Sequence, residues 1–268
     1  MSSIDSFFDS FTLPPISEVT CELITSLDSE SIPIHQVAAI IGKDPALTAN
    51  LLRVANSAQF GLPRGVGTLD EAIALVGTSR VRALALGACM ASAFPHLPGL
   101  ERQTFWKSSM ACAGYAQWLA EGVGMDGQVA WLTGMMLRLG EVLIGQAEPQ
   151  TVLAIEKLPL QPGERWQREK QLVGYSEGEI TAELARRWNF PMQMVQGLQR
   201  SADPLLEQAF SRLGAVLHLA CLLSDTQGSG EDPLEVLPLE VIDSLKLDLD
   251  WLSATLPNRE SFVELAAA

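Results

Sequence analysis

Apolar residues recur along most of this chain at spacings of three and four, the period that gives a helix one buried face. After Pro14-Pro15, Val19, Leu23, Ile24 and Leu27 share one side of a helix that Ser17 can cap. A short helix is predicted over 34–41. The next start signal is sharper. Asp44 is a good N-cap, since its carboxylate can accept from free backbone N–H groups two or three residues on. Pro45 suits the first helical position, where a missing N–H costs nothing. Leu47, Leu51, Val54, Ala55 and Ala58 then fall on one face, in a run reaching Gly61. Thr68 and Glu71 predict a capping box, each side chain reaching the other's backbone N–H. Gly77 closes that helix and Thr78 opens another, where Ala85, Gly87, Ala88 and Ala91 suggest close helix approach.

Pro95, Pro98 and Gly99 interrupt the pattern and mark an expected subdomain boundary. Helices are predicted beyond it over 105–121, 128–145, 176–188 and 191–200, with a proline-containing connection at 158–163. A long apolar helix over 205–223 follows, then a turn region at 227–233. One or two short helices and a frayed run of alanines end the chain. No strand–helix–strand rhythm appears, so the expected fold is all-α.

At 268 residues and 47% hydrophobic, the chain can bury a sizeable core. Its net charge of −14 argues against nucleic-acid binding, which relies on clustered cations, and against an acidic membrane surface. The acidity is uneven. Residues 201–268 hold 12 acidic and 3 basic side chains, whereas 151–200 hold 6 acidic and 7 basic. The basic excess, with Arg165, Arg168, Lys170, Arg186 and Arg187, reads as a solvated helix surface with pairs such as Glu183 and Arg187 at i,i+4. A partner or anion site there is the other reading. Cys21, Cys89, Cys112 and Cys221 are scattered, as expected of reduced thiols in a cytoplasmic protein. Residues 1–11 lack the basic lead-in of a secretory signal, and the apolar run over 83–94 is too short to span a bilayer.

The run from Asp44 to Gly61, with Leu13-Pro14-Pro15 before it and Thr68 to Gly77 after it, resembles the HDOD family. These are helical bacterial signalling domains related to HD-type phosphohydrolases. The resemblance covers 13–204. It implies an N-terminal helical bundle (13–97) packed on a degenerate HD-type subdomain (98–204), with a leader (1–12) and an acidic helical extension (205–268). Asp44, Pro45, Asn56, Ser57, Gly61 and Gly77 are then the structural residues of the family motif. Asn56 and Ser57, polar at the end of an apolar helix, are expected to satisfy the neighbouring turn at 61–67, with direct partner contact as the other reading.

The same resemblance indicates where HD enzymes carry metal ligands. Ser108 stands at the place of the first His, Leu137 and Arg138 at the His-Asp pair, and Glu177 at a later His. The segment 198–204, including Ser201, lacks the paired His residues. A catalytic metal needs several convergent imidazoles or carboxylates with one open position. Leu137 cannot ligate, and Arg138 places a permanent positive charge in the cation's seat. His35, His96 and His218 lie off the expected positions and read as surface or packing residues. Glu179 and Glu183, imaginable as a carboxylate Mg²⁺ site, read better as a solvated face paired with Arg186 and Arg187. No cofactor and no metal are expected.

Three other motifs have plainer uses. Gly174-Tyr175-Ser176-Glu177-Gly178 matches a nucleophile elbow, followed by Asp203 and His218, but no parallel sheet supports it. Ser176 and Glu179 fit a capping box instead. Gly65-Val66-Gly67 reads as a turn, and the helix pair around Gly77 reads as core packing, not a DNA reader. The expectation is a cytoplasmic regulatory protein that transduces signals without catalysis. It acts through a signalling protein partner or a small anionic ligand or nucleotide, with Lys107, Ser108, Arg138, Glu177 and Ser201 at the vestigial pocket. The alternative is a residual metal-dependent phosphohydrolase with a noncanonical site.

Overall fold

The structure, a computed structural model, describes residues 4–27, 32–56, 65–94, 96, 99–156, 161–206, 210–226 and 233–267. Every regular element among them is helical, so the all-α expectation holds. The segment read as a leader contains α1 (Ile4–Phe8). Its Phe8 is buried beneath the guanidinium of Arg187, 4.6 Å from the ring centre, and Asp5 pairs with that arginine at 2.9 Å.

The caps anticipated in the first half form as local bonds. The Ser17 hydroxyl accepts from the Thr20 N–H at the start of α2 (Glu18–Ser26), and α3 (Ile34–Ile41) follows. Asp44 Oδ1 accepts from the N–H groups of Ala46 at 2.9 Å and Leu47 at 3.1 Å, opening α4 (Pro45–Ala55). That helix ends well before Gly61. Asn56 donates to the Leu52 and Val66 carbonyls and accepts from the Val66 N–H, which ties the end of α4 to the chain returning before the next helix. Ser57 and Gly61 lie outside the described residues, as do Pro95 and Pro98 of the expected boundary.

The Thr68 capping box is only half made. Thr68 Oγ1 accepts from Glu71 N–H as α5 (Leu69–Val76) begins, but the Glu71 carboxylate takes the Gly67 N–H at 3.2 Å, one residue further out. Gly77 adopts a φ of +92° between α5 and α6 (Thr78–Ala93). A Cβ there would meet nothing within 4 Å, so backbone conformation and not space selects glycine.

The second half is built around α7 (Arg102–Gly122), against which α8 (Gly127–Leu137) packs closely. Ala111 to Ala116 are all buried, so the middle of α7 is enclosed on every side. The expected helix over 128–145 is broken at Arg138 into α8 and α9 (Leu139–Ala147). Periodicity could not reveal the break, because both sides are apolar and fully buried. The stretch left without helices holds α10 (Pro149–Glu156) and α11 (Glu164–Leu172). Then come α12 (Glu177–Arg187) and α13 (Met192–Gln199). The helix expected from residue 205 starts later, as α14 (Arg212–Asp225), where Ser211 caps it. Three short helices follow, not one or two: α15 (Leu239–Leu245), α16 (Leu249–Thr255) and α17 (Arg259–Ala267).

The halves meet where α6 crosses α8, with Met135 lying over Gly87. Against α7 also pack α14 and α17. Among the described residues, no single helix is long and apolar enough to cross a membrane.

Candidate functional site

The break at Arg138 frees a carbonyl at Leu137 and an N–H at Gly140, both buried. Thr181 of α12 satisfies both: its hydroxyl donates to Leu137 O at 2.9 Å and accepts from Gly140 N–H at 2.8 Å. Gly140 is needed for a second reason. A Cβ there would collide with the Glu177 backbone, so its absence lets the N-terminus of α12 press against the elbow. The elbow and α12 together hold the arginine in place.

Arg138 is 94% buried at the side chain, taking its 6% exposure. Its Nη1 donates to Glu141 Oε1 at 2.9 Å, and Nη2 donates to Ser224 Oγ at 3.1 Å and to Asp225. Glu141 Oε1 also meets Arg165 Nε at 2.9 Å, so one carboxylate oxygen lies between two guanidinium groups. Arg165 in turn pairs with Glu169 at 3.0 Å and with Glu156. Arg165, read from the sequence as part of a solvated surface, is therefore a buried member of this cluster. Its i,i+4 partner faces inward with it, because α11 turns that side toward the core.

The carboxylates differ in electrostatics. Burial opposes the charge on Arg138, yet Asp225 and Glu141 hold its pKa well above the usual guanidinium value. Burial would also raise Glu141, but Arg165 and Arg138 outweigh it and hold that carboxyl below its ordinary range. Glu169 is pushed up to about 7, chiefly by burial and against the pull of Arg165. Glu177, fully enclosed, is driven well above the carboxylate range by burial and by Glu141 and Glu169. Its Oε1 accepts from the Trp166 indole at 3.0 Å, while Oε2 finds no donor. A proton on Glu177 resolves that orphan, since a carboxyl O–H can donate to the Glu141 carboxylate.

Above the cluster two adjoining cavities open, of about 280 Å³ and about 370 Å³. Ser108 and Asp225 line both. Arg138, Glu141, Glu156 and Arg165 face the first, and Lys107, Ser224 and Arg259 face the second. Lys107, Ser108 and Arg138 are thus brought together, with Glu177 enclosed beside them. Ser201 lines neither cavity. Its hydroxyl donates to Leu198 O, and its carbonyl meets His218 Nδ1 at 2.8 Å, with the imidazole packed on Trp166. Glu179 is spent in the Ser176 capping box, while Glu183 pairs with Arg186 and Arg187. The described residues bring no three His, Cys, Asp or Glu side chains into a metal-holding group, and two guanidinium groups stand among the carboxylates. That donor set does not fit a hydrolytic divalent ion.

Glu141, Glu156, Glu169 and Asp225 were missed in the sequence reading. The one signal for them was short spacing: Glu141 three residues after Arg138, Glu169 four after Arg165. The HDOD domain profile matches residues 13–204. The chain belongs to the HDOD family. A candidate phosphohydrolase from Shewanella amazonensis is 25% identical to this HDOD protein, with a TM-score of 0.72, over 99% of this chain and 94% of that one. A candidate signal transduction protein from Marinobacter aquaeolei shares the fold at 22% identity and TM-score 0.75, over 95% of this chain and 57% of its own. An HDOD domain protein of unknown function from Geobacter sulfurreducens does so at 21% and 0.69, over 98% and 87%. An uncharacterized protein of Treponema pallidum (strain Nichols) is 25% identical over 241 residues, which is 88% of this chain. This chain spans 46% of that relative's length.

Proposed function

We propose that this HDOD protein is a non-catalytic regulator in bacterial signal transduction, acting through contact with a partner protein. The observation that carries the reading is Glu141 held between Arg138 and Arg165, where the resemblance to HD enzymes would put metal ligands. A guanidinium is a permanent cation, so the carboxylates around it are already neutralised and have little left to offer an ion. The Marinobacter fold neighbour, described as a candidate signal transduction protein, lends the reading its direction. Four free cysteines fit a reducing cytoplasm. The polar cavities beside Ser108 could admit a small anion or nucleotide as an effector of that contact.

The second reading is a residual phosphohydrolase with a noncanonical metal site, favoured by the Shewanella relative. One experiment separates them: elemental analysis of the purified chain, with a phosphodiesterase assay in Mn²⁺ and Mg²⁺. The regulator carries far less than one transition metal per chain and gives no metal-dependent turnover. One bound metal per chain whose removal abolishes hydrolysis establishes the enzyme.

A further inference from the structure

The C-terminal helix α17 rests mainly on α7, and a small set of contacts holds it there. The Phe262 ring sits in a notch at Gly114, where any Cβ would collide with it. The same ring lies edge-on to Tyr115 at 5.1 Å. Val263 beside it is 6% exposed, and Arg259 one turn earlier reaches Ser108 Oγ at 3.4 Å. Of residues 259–263, whose burial is described, Val263 alone is buried, which sets this stretch among the parts of a fold that open first.

Phe262 fills only one end of its seat. Beside the ring runs a groove of about 290 Å³, walled by Leu84 of α6, Met110 and Trp118 of α7, and Trp131 of α8. Met110 and Met135 cluster with Trp131 and Trp106 against them, and the two tryptophans also pack on the main core. The Trp118 indole N–H is buried with no acceptor. A wall of methionine and tryptophan adapts its shape to different apolar side chains. The walls are helices whose backbone groups bond internally, so the groove offers side-chain packing and no strand edge. That is how an amphipathic helix is received, and a helix with an aromatic anchor already lies at one end.

We infer that α17 is the resident occupant of a helix-binding groove, and that an amphipathic helix of a partner protein, with an aromatic anchor in place of Phe262, competes for it. The inference deepens the contact reading of this protein. It does not require an inert arginine cluster, so a metal found there would leave it standing. Displacing α17 also withdraws Arg259 from the polar cavity it shares with Lys107 and Ser108, which links groove and cavity.

The test uses the full chain, wild type and Phe262→Ala, with a fluorescent peptide reproducing residues 255–268 as the probe. Anisotropy should show the variant binding the peptide at least about tenfold more tightly than wild type. A peptide carrying its own Phe262→Ala change should bind neither. If Phe262→Ala fails to fold, Arg259→Ala loosens the same helix and takes its place. Equal binding to wild type and variant overturns the inference, as does no binding to a variant that circular dichroism shows folded. Light scattering that finds the loosened chain dimeric, with no peptide bound, also overturns it in favour of a second copy as the occupant.

Discussion

Arg138 concentrates the physical chemistry of the site in one side chain. Its charge is buried, so its value lies in what its removal would leave behind. Arg138→Ala leaves Asp225 without its cation and Glu141 with Arg165 alone. Losing one partner of a buried ionic set typically costs about 3–5 kcal/mol. Urea unfolding should place Arg138→Ala in that range, and a change below about 1 kcal/mol would mean that water already screens the cluster. The sequence marked Arg138 as anomalous, because a permanent cation stands where the family resemblance would place a ligand. It could not identify the neutralising groups, since Asp225 lies 87 residues away. Arg165 was misread for a related reason. An i,i+4 pair looks the same in sequence whether it faces water or the core.

At the scale of the helix, caps were the legible part. Ser17, Asp44, Thr68 and Ser176 each announce a start, and each accepts from a backbone N–H there. Ser176→Ala removes the hydroxyl arm of the capping box and leaves the backbone N–H to Glu179 arm, and it should destabilise the fold by about 1 kcal/mol, read as a lowered urea midpoint with an unchanged slope. What stayed hidden were changes of direction within apolar stretches. The elbow between α8 and α9 has no proline and no polar interruption except Arg138 itself. Its bonds are supplied by Thr181, more than forty residues on. Likewise α10 and α11 went unread, because α11 is highly charged yet buries Arg165, Trp166 and Glu169.

For the whole molecule, the enclosed carboxyls set how stability follows pH. Glu169 and Glu177 have raised values in the native state, so the native state holds their protons longer than the unfolded chain does. Below about pH 4.5 both states are protonated and no cost arises. As pH climbs toward about 7 the unfolded chain ionises Glu169 first, and native stability falls. Glu177 extends the loss to higher pH. Glu141 and Glu183 act in the opposite sense, withdrawing stability as pH drops below the ordinary carboxylate range. The melting temperature should therefore be higher near about pH 5.5 than near about pH 8. Glu177→Gln keeps a donor toward Glu141 without an ionisable proton, so it should flatten that slope and raise the melting temperature at the alkaline end. An unchanged slope would remove Glu177 as its source.

The oxygen of Glu141 shared by two arginines also limits what substitution at this elbow can achieve. A histidine placed at 137 and an aspartate at 138 would leave Arg165 still paired with Glu141 and would take the counterion from Asp225. Two new side chains would therefore meet a standing guanidinium, and the fold would register the exchange first as lost stability.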